Sequence, residues 1–127
     1  MLDILKVKKD LIFVGGFAAY MQGVKSSFHD YDVVVLSLSG GLEHAYQYMT
    51  DSKFSRSGRR AVIEYPIYVD IFIEYSLPEF IEINGFKCQT VASMLQYYTD
   101  LLPHLRSAWT DKLNDKINIL QKWQEKT

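Results

Sequence analysis

Short apolar blocks, separated by glycine, proline or polar residues, dominate the hydrophobic pattern of this chain. Blocks rich in β-branched and aromatic residues are typical of buried strands, and they predict six, at residues 11–14, 31–36, 61–65, 67–74, 80–83 and 86–88. Pro66 separates the third block from the fourth, which suits a turn or a sheet edge. Asn84–Gly85 separates the last two blocks and is a strong signal for a two-residue hairpin.

Helical spacing of apolar residues predicts helices between and after these strands. We expect a short helix before residue 11 and four more, at residues 17–22, 42–49, 91–102 and 107–124. Gly23 is the expected C-terminal cap of the first of these four, and Thr90 is the expected N-cap of the third. The last helix carries four large apolar residues on one face: Trp109, Leu113, Ile117 and Leu120.

These elements predict an α+β fold, close to α/β, with a small mixed β-sheet and packed helices. We place the strand-rich core at residues 11–88 and a C-terminal helical pair at residues 90–125. Together they form the single domain that we expect over residues 1–127, since a chain of this length fits one hydrophobic core.

Composition narrows the class of protein further. The net charge of −1 gives no whole-chain reason to expect tight binding to nucleic acid or to an anionic membrane. The one cysteine, Cys88, allows no internal disulfide, and no cysteine and histidine cluster suggests zinc. The N-terminal residues lack the apolar core of a signal peptide, and no apolar run is long enough for a membrane span. We therefore expect a cytoplasmic protein without membrane contact.

Three aspartates are the strongest candidates for chemistry. Asp30 and Asp32 head a strand at alternate positions, so their side chains converge on one face while Tyr31 points away. Two neighbouring carboxylates repel each other and favour a bound cation. Asp70 lies within an apolar strand, where a carboxylate is costly unless it is paired or binds a metal. The alternatives are that the first two aspartates cap backbone N–H groups and that Asp70 faces water on an edge strand.

Glycines and basic residues nearby are candidates for phosphate binding. Gly15 and Gly16 join a strand to a helix. Glycines there allow the backbone to approach a ligand closely, and the free N–H groups at the start of the helix can donate hydrogen bonds to a phosphate. Lys25, Ser26 and Ser27 lie in the loop at residues 24–29 that leads to the first aspartate. Arg59 belongs to a predicted basic loop at residues 51–60, and arginine forks suit phosphate. The alternatives are a tight turn at the glycines and solvated loops elsewhere.

Together these features resemble the nucleotidyltransferase superfamily of DNA polymerase β. The pattern of that family is an apolar residue, Gly, then Gly or Ser, a short spacer, an alternation of acidic and apolar residues, and a third acid on a later strand. This chain matches it with Val14-Gly15-Gly16, a spacer at residues 17–29, Asp30-Tyr31-Asp32-Val33 and Asp70. Residues 13–23 look most like small abortive-infection and toxin–antitoxin nucleotidyltransferase domains. Residues 90–120 are similar to the helical segment that closes many of them.

The resemblance implies an enzyme that moves a nucleoside monophosphate from an NTP to a hydroxyl acceptor. Two Mg²⁺ ions would bind Asp30 and Asp32, with Asp70 as a further ligand or general base. Gly15 and Gly16 would hold the β- and γ-phosphates. The acceptor would be a protein, a tRNA end or a small molecule, and a homo-oligomer or a toxin–antitoxin partner is a possible assembly.

Two further interpretations stay open at the level of the sequence. One is a non-catalytic relative, such as an antitoxin or a regulatory partner, that uses the fold for binding. It is favoured by Ser26 and Phe28, which stand where relatives commonly place Arg and Thr. The other is a structural domain in which Asp30-Tyr31-Asp32 only caps a loop.

Overall fold

The computed structural model describes residues 11–36, 46–48, 58–64, 67–105 and 107–126. Within these residues the chain forms seven strands, β1 to β7, at Leu11–Val14, Tyr31–Val35, Tyr46–Tyr48, Gly58–Glu64, Ile67–Ile73, Phe80–Ile83 and Phe86–Gln89. It also forms three helices, α1 to α3, at Gly15–Met21, Val91–Leu101 and Ser107–Lys126. A single 3₁₀ turn at Leu102–His104 follows α2 in the described residues, and all six predicted strands are present.

The described strands join in one mixed sheet with the order β3-β4-β5-β2-β1-β7-β6. β1 runs antiparallel to β2 and parallel to β7, while β2 runs parallel to β5. Strands β6 and β7 form the predicted hairpin, with positive φ of 51° at Asn84 and 84° at Gly85. A two-residue loop of this kind requires such angles. The α+β class and the mixed sheet are confirmed.

The hydrophobic core lies around the central strands β1 and β2. Leu11, Ile12 and Phe13 are consecutive and each at most 1% exposed. Because successive side chains of a strand point to opposite faces, both faces of β1 are covered. The helices contribute further buried residues to the core cluster: Phe17, Ala18 and Ala19 from α1, Val91 and Met94 from α2, and Leu120 from α3.

Both predicted helix caps are confirmed. Gly23, with φ of 81°, follows α1 and donates its N–H to the carbonyl of Tyr20, and Val24 donates to that of Ala19. These two bonds are the Schellman arrangement that a left-handed glycine permits. At the start of α2 the side chain of Thr90 accepts a hydrogen bond from the Ser93 N–H at 3.1 Å.

Two predictions of local structure are wrong where the structure describes them. Tyr46–Tyr48, expected in a helix, is strand β3 and pairs with β4. Aromatic residues favour strands, and the edge of β4 supplies partners for their backbone groups. Residues 58–60, expected in a loop, begin β4 instead. The rest of both segments, and the helix expected before residue 11, lie outside the described residues.

Three of the four residues predicted on the apolar face of the last helix are buried in the structure. Leu113, Ile117 and Leu120 are buried, whereas Trp109 is 48% exposed. Trp109 lies in the first turn of α3, and its ring has the Lys112 ammonium above it, 5.5 Å from the centroid. None of the described helices combines the length and the apolar character that crossing a membrane requires.

Gln22 joins α1 to the segment that begins α2, a role that its sequence context does not reveal. Its Nε2 donates to the carbonyl oxygens of Ala18 at 2.9 Å and Gln89 at 2.7 Å, and its Oε1 accepts from the Val91 N–H at 3.2 Å. We expect Gln22→Ala to lower the free energy of unfolding by about 1–3 kcal/mol, because partly buried backbone groups lose their partners.

Urea denaturation of the Gln22 variant measures this loss. Gln96→Ala is the matched control, since the Gln96 side chain bonds to Asp100 on the exposed side of α2. That control is expected to stay within about 0.5 kcal/mol of the wild type. Equal losses in the two variants would show that the link between α1 and α2 adds nothing to stability.

Candidate active site

Two of the predicted aspartates meet on neighbouring strands. Asp32 is the second residue of β2, and the parallel register of β2 and β5 places it directly opposite Asp70. Asp70 is 8% exposed, so the alternative in which it faces water at a sheet edge is wrong. The strand order has β5 between β2 and β4, so Asp70 lies in the interior of the sheet.

The carboxyl groups of Asp32 and Asp70 form a side-chain hydrogen bond. Burial is the largest cause that raises the pKa of Asp32, to about 7. The charge of Asp70, its hydrogen bond and the charge of Asp30 raise it further, while Lys116 acts in the opposite direction. A hydrogen bond between two carboxyls needs a proton on one of them. Asp32, whose pKa is raised, therefore keeps a proton to donate up to about neutral pH.

A cleft of about 510 Å³ opens over these carboxyls, and we call it the carboxylate cleft. It is lined by Gly16, Val24, Lys25, Ser26, Ser27, Phe28, His29, Asp30, Asp32 and Asp70. The three aspartates and the predicted loop residues Lys25, Ser26 and Ser27 are thus brought together, as is Gly16. His29, in the same loop, is exposed.

Phe28 anchors the loop that carries these polar residues. Its ring lies 4.9 Å from that of Phe17, 5.1 Å from Tyr20 and 5.0 Å from Tyr31, measured between centroids. An aromatic residue in an otherwise polar loop is the signal that would have revealed this anchor. The packing fixes the end of the loop immediately before Asp30.

Gly15 brings the backbone against Asp32. It has a φ of +63°, and a Cβ built there would lie 2.6 Å from Asp32 Oδ2, closer than real Cβ contacts. Gly16 differs, because a Cβ there would meet Phe28 Cβ at an ordinary 3.9 Å. Gly15 therefore has two physical reasons to be glycine, a left-handed backbone and a close approach to the carboxylate.

A second cavity of about 180 Å³ lies beside the first, and we call it the lysine cavity. It is lined by Gly15, Gly16, Ala19, Val24, Lys25, Met94, Tyr98, Lys112, Asp115, Lys116, Ile119 and Leu120. Gly16, Val24 and Lys25 belong to both cavities. Sequence reasoning missed Lys112 and Lys116; the available signal was their spacing of four residues beside the buried Leu113 and Ile117.

Lys116 and Tyr98 connect the lysine cavity to the aspartates. Burial lowers the pKa of Lys116, as do the charges of Lys25 and Lys112, while Asp32 raises it. Burial raises the pKa of Tyr98 to about 12, with smaller contributions from Asp32 and Tyr97. The Lys116 ammonium lies over the Tyr98 ring, 5.8 Å from its centroid.

The metal and nucleotide roles predicted for these residues remain predictions. Among the described residues, no group of three or more His, Cys, Asp or Glu side chains is arranged to hold a metal ion. Asp32 and Asp70 form a pair, and Asp30 acts on Asp32 through its charge. Arg59 lies in strand β4 at the position opposite Ile71, and its neighbour Arg60 is the residue opposite Asp70.

Comparison with known proteins gives one informative likeness. No protein-family model matches the chain, and no curated protein matches it. A crystal structure of a putative nucleotidyltransferase from Thermotoga maritima aligns with 98% of this chain and 88% of its own. The TM-score is 0.57 and the sequence identity is 19%. The chain described here therefore has the fold of this putative nucleotidyltransferase.

Proposed function

We propose that this protein is a metal-dependent nucleotidyltransferase that moves a nucleoside monophosphate from an NTP to a hydroxyl acceptor. The observation that carries the proposal is the Asp32–Asp70 pair, in which a half-buried and a buried carboxyl lie opposite each other on adjacent strands beneath a cleft, with the backbone of Gly15 against Asp32. The resemblance of the sequence and the likeness of the fold both point to the same chemistry.

The side chains fit the metal that this chemistry needs. Carboxylate oxygens are the hard ligands that Mg²⁺ prefers. The raised pKa of Asp32 shows that a negative charge on this carboxyl is poorly compensated by the protein, so a cation beside it would be stabilising. Asp32 and Asp70 would hold the metal, and Asp30 would join them from the same cleft. When bound, Mg²⁺ supplies charge that stabilises phosphoryl transfer.

The residues of the chain itself would position the NTP and the acceptor and would accept the proton of the acceptor hydroxyl. The acceptor oxygen attacks the α-phosphorus of the NTP and forms a new P–O bond, while the bond to the bridging oxygen breaks and pyrophosphate leaves. Asp70 is a candidate to take the proton of the acceptor hydroxyl. Gly15 and Gly16 would lie along the phosphates, with Lys25, Ser26 and Ser27 at the wall of the cleft. Protein, tRNA and small-molecule acceptors all remain compatible with the open cleft.

A thermal-shift titration tests the proposal on wild type and Asp32→Ala, with Mg²⁺ and each NTP. A ligand that binds only the native state raises stability by about 2.7 kcal/mol at one hundred times its Kd. We expect the wild type to gain in melting temperature with Mg²⁺ and NTP together, and the variant to gain nothing. Asp111→Ala, at an exposed position of α3, is the matched control and should respond as the wild type does.

The second candidate is a binding module that keeps the fold without turnover, such as an antitoxin or a regulatory partner. The absence of a ready three-ligand metal group among the described residues favours it. Binding of NTP without pyrophosphate release would support this candidate over the enzyme. If wild type and Asp32→Ala respond alike to metal and NTP, the carboxylate pair is no nucleotide site.

A further inference from the structure

Strand β6 exposes apolar side chains at one end of the sheet. It is the terminal strand in the order of the described strands, with β7 as its neighbour. Phe80 and Ile81 are 45% and 44% exposed, and Glu82 is exposed as well. An apolar edge strand of this kind is a template for pairing with a further strand, so its occupant is a question that the structure raises directly.

The backbone of β6 also presents hydrogen-bonding groups along its outer side. In a two-residue hairpin the residues that flank the turn bond to each other, and bonded positions then alternate along the two strands. Ile81 is therefore bonded to β7, and one step further Glu79 accepts from the Thr90 N–H at 3.1 Å. The N–H and C=O groups of Phe80 and Glu82, which lie between and beyond these positions, point away from β7.

A second copy of β6 fits this edge in one antiparallel register. With Ile81 opposite itself across a twofold axis, Phe80 of each copy lies opposite Glu82 of the other, and each of these two pairs can exchange two backbone hydrogen bonds. Centring the strands on Glu82 places two carboxylates directly opposite, which is unfavourable. Centring them on Phe80 brings Pro78 opposite Glu82, and proline has no N–H to donate. A shift by a single residue sets outward groups of one strand against inward groups of the other.

The charges at this edge are complementary in the same register. Directly opposed residues share a face of the sheet, as do alternate residues of one strand, so Phe80, Glu82 and Lys87 lie on one face. The Lys87 ammonium lies over the Phe80 ring, 5.7 Å from its centroid. Pairing brings Glu82 of the second copy beside that ring, within reach of the ammonium. On the other face the two Ile81 side chains meet at the twofold axis and cover each other.

We propose that β6 is a homodimerisation strand, at which a second copy of this chain extends the sheet in antiparallel register through Phe80, Ile81 and Glu82. Because the contact joins two short strands, we expect a reversible dimer with a Kd on the order of 10 µM. The inference goes beyond the proposed function and does not depend on it, since β7 and β1 separate β6 from the strands that carry Asp32 and Asp70.

Sedimentation velocity across a wide range of protein concentration measures the association. Ile81→Lys sets two like charges at the twofold axis and is expected to weaken dimerisation roughly hundredfold or more. Leu36→Lys is the matched control, because it adds the same charge at a residue that is 42% exposed and follows β2, and it should dimerise as the wild type does. Lys87→Glu should weaken the dimer roughly tenfold, since two symmetric ion pairs are lost. Adding Glu82→Lys to that variant should restore most of the affinity.

Amide hydrogen exchange locates the contact. As the concentration rises, the N–H groups of Phe80 and Glu82 should become protected, whereas that of Ile81, already bonded to β7, should be protected throughout. A protein that stays monomeric at every concentration overturns the proposal and leaves the edge to a strand of a different protein. A dimer in which the Phe80 and Glu82 amides exchange as fast as in the monomer also overturns it, because another surface then makes the contact.

Discussion

Asp32→Asn is expected to abolish NTP turnover and to remove much of the pH dependence of stability of the metal-free protein between about pH 4 and 7. Asparagine keeps the shape of the protonated carboxyl and its ability to donate a hydrogen bond to Asp70. It cannot ionise, and it is a poor replacement for a carboxylate at a divalent cation. Turnover is measured by pyrophosphate release.

The direction of the pH effect follows from the raised pKa. Asp32 has a pKa of about 7 in the folded protein against an ordinary value of 3.8, so the folded state holds its proton more tightly. The resulting stability is fully present below about pH 4 and is lost as the pH rises through 7. Its size is on the order of 4 kcal/mol, at about 1.4 kcal/mol for each pH unit between the two pKa values.

Urea denaturation of wild type and variant across this range gives the test. The two proteins should have similar free energies of unfolding near pH 4, and Asp32→Asn should be the more stable of the two near pH 8. Asp111→Asn replaces an exposed carboxyl and should follow the wild-type curve. Parallel curves for wild type and Asp32→Asn would contradict the raised pKa. Added Mg²⁺ should stabilise the wild type at high pH and leave Asp32→Asn unaffected.

Gly15→Ala is expected to destabilise the protein by several kcal/mol and to remove its response to Mg²⁺ and NTP. Alanine at a φ of +63° costs about 1–2 kcal/mol for the backbone alone. Its Cβ would also lie 2.6 Å from Asp32 Oδ2, so the carboxylate must move from its place opposite Asp70. The substitution adds and removes no ionisable group, yet it displaces Asp32, a proposed metal ligand.

Gly23→Ala separates these two causes. Gly23 has a similar φ of +81°, but a Cβ there would meet nothing within 4 Å. This variant should lose about 1 kcal/mol and keep its ligand response. Gly16→Ala, whose Cβ would make an ordinary contact, serves as a second control for stability alone. A Gly15→Ala protein no less stable than Gly23→Ala would contradict the close approach to Asp32.

Local signals in the sequence were sufficient where a single stretch of chain decides the structure. Asn84–Gly85 forms the turn of the predicted hairpin, Thr90 caps the start of α2, and Gly23 caps the end of α1. They failed at Tyr46–Tyr48. The apolar residues around this short segment have helical spacing, but its structure depends on pairing with a strand that lies elsewhere in the chain. Pairing with β4 satisfies the backbone groups of these residues, and no local pattern can report the position of that strand.

The sequence by itself determined the candidate chemistry: three aspartates on strand-like segments and a glycine pair at the start of a helix. Alternation along an extended chain is a local property, so it was readable without a structure. Only the tertiary structure decided that Asp32 and Asp70 are opposite each other, because the register of two parallel strands distant in sequence depends on packing. The same holds for Lys112 and Lys116: their spacing places them on one side of α3, but only the packing of the buried face of α3 brings them beside Gly15 and Gly16.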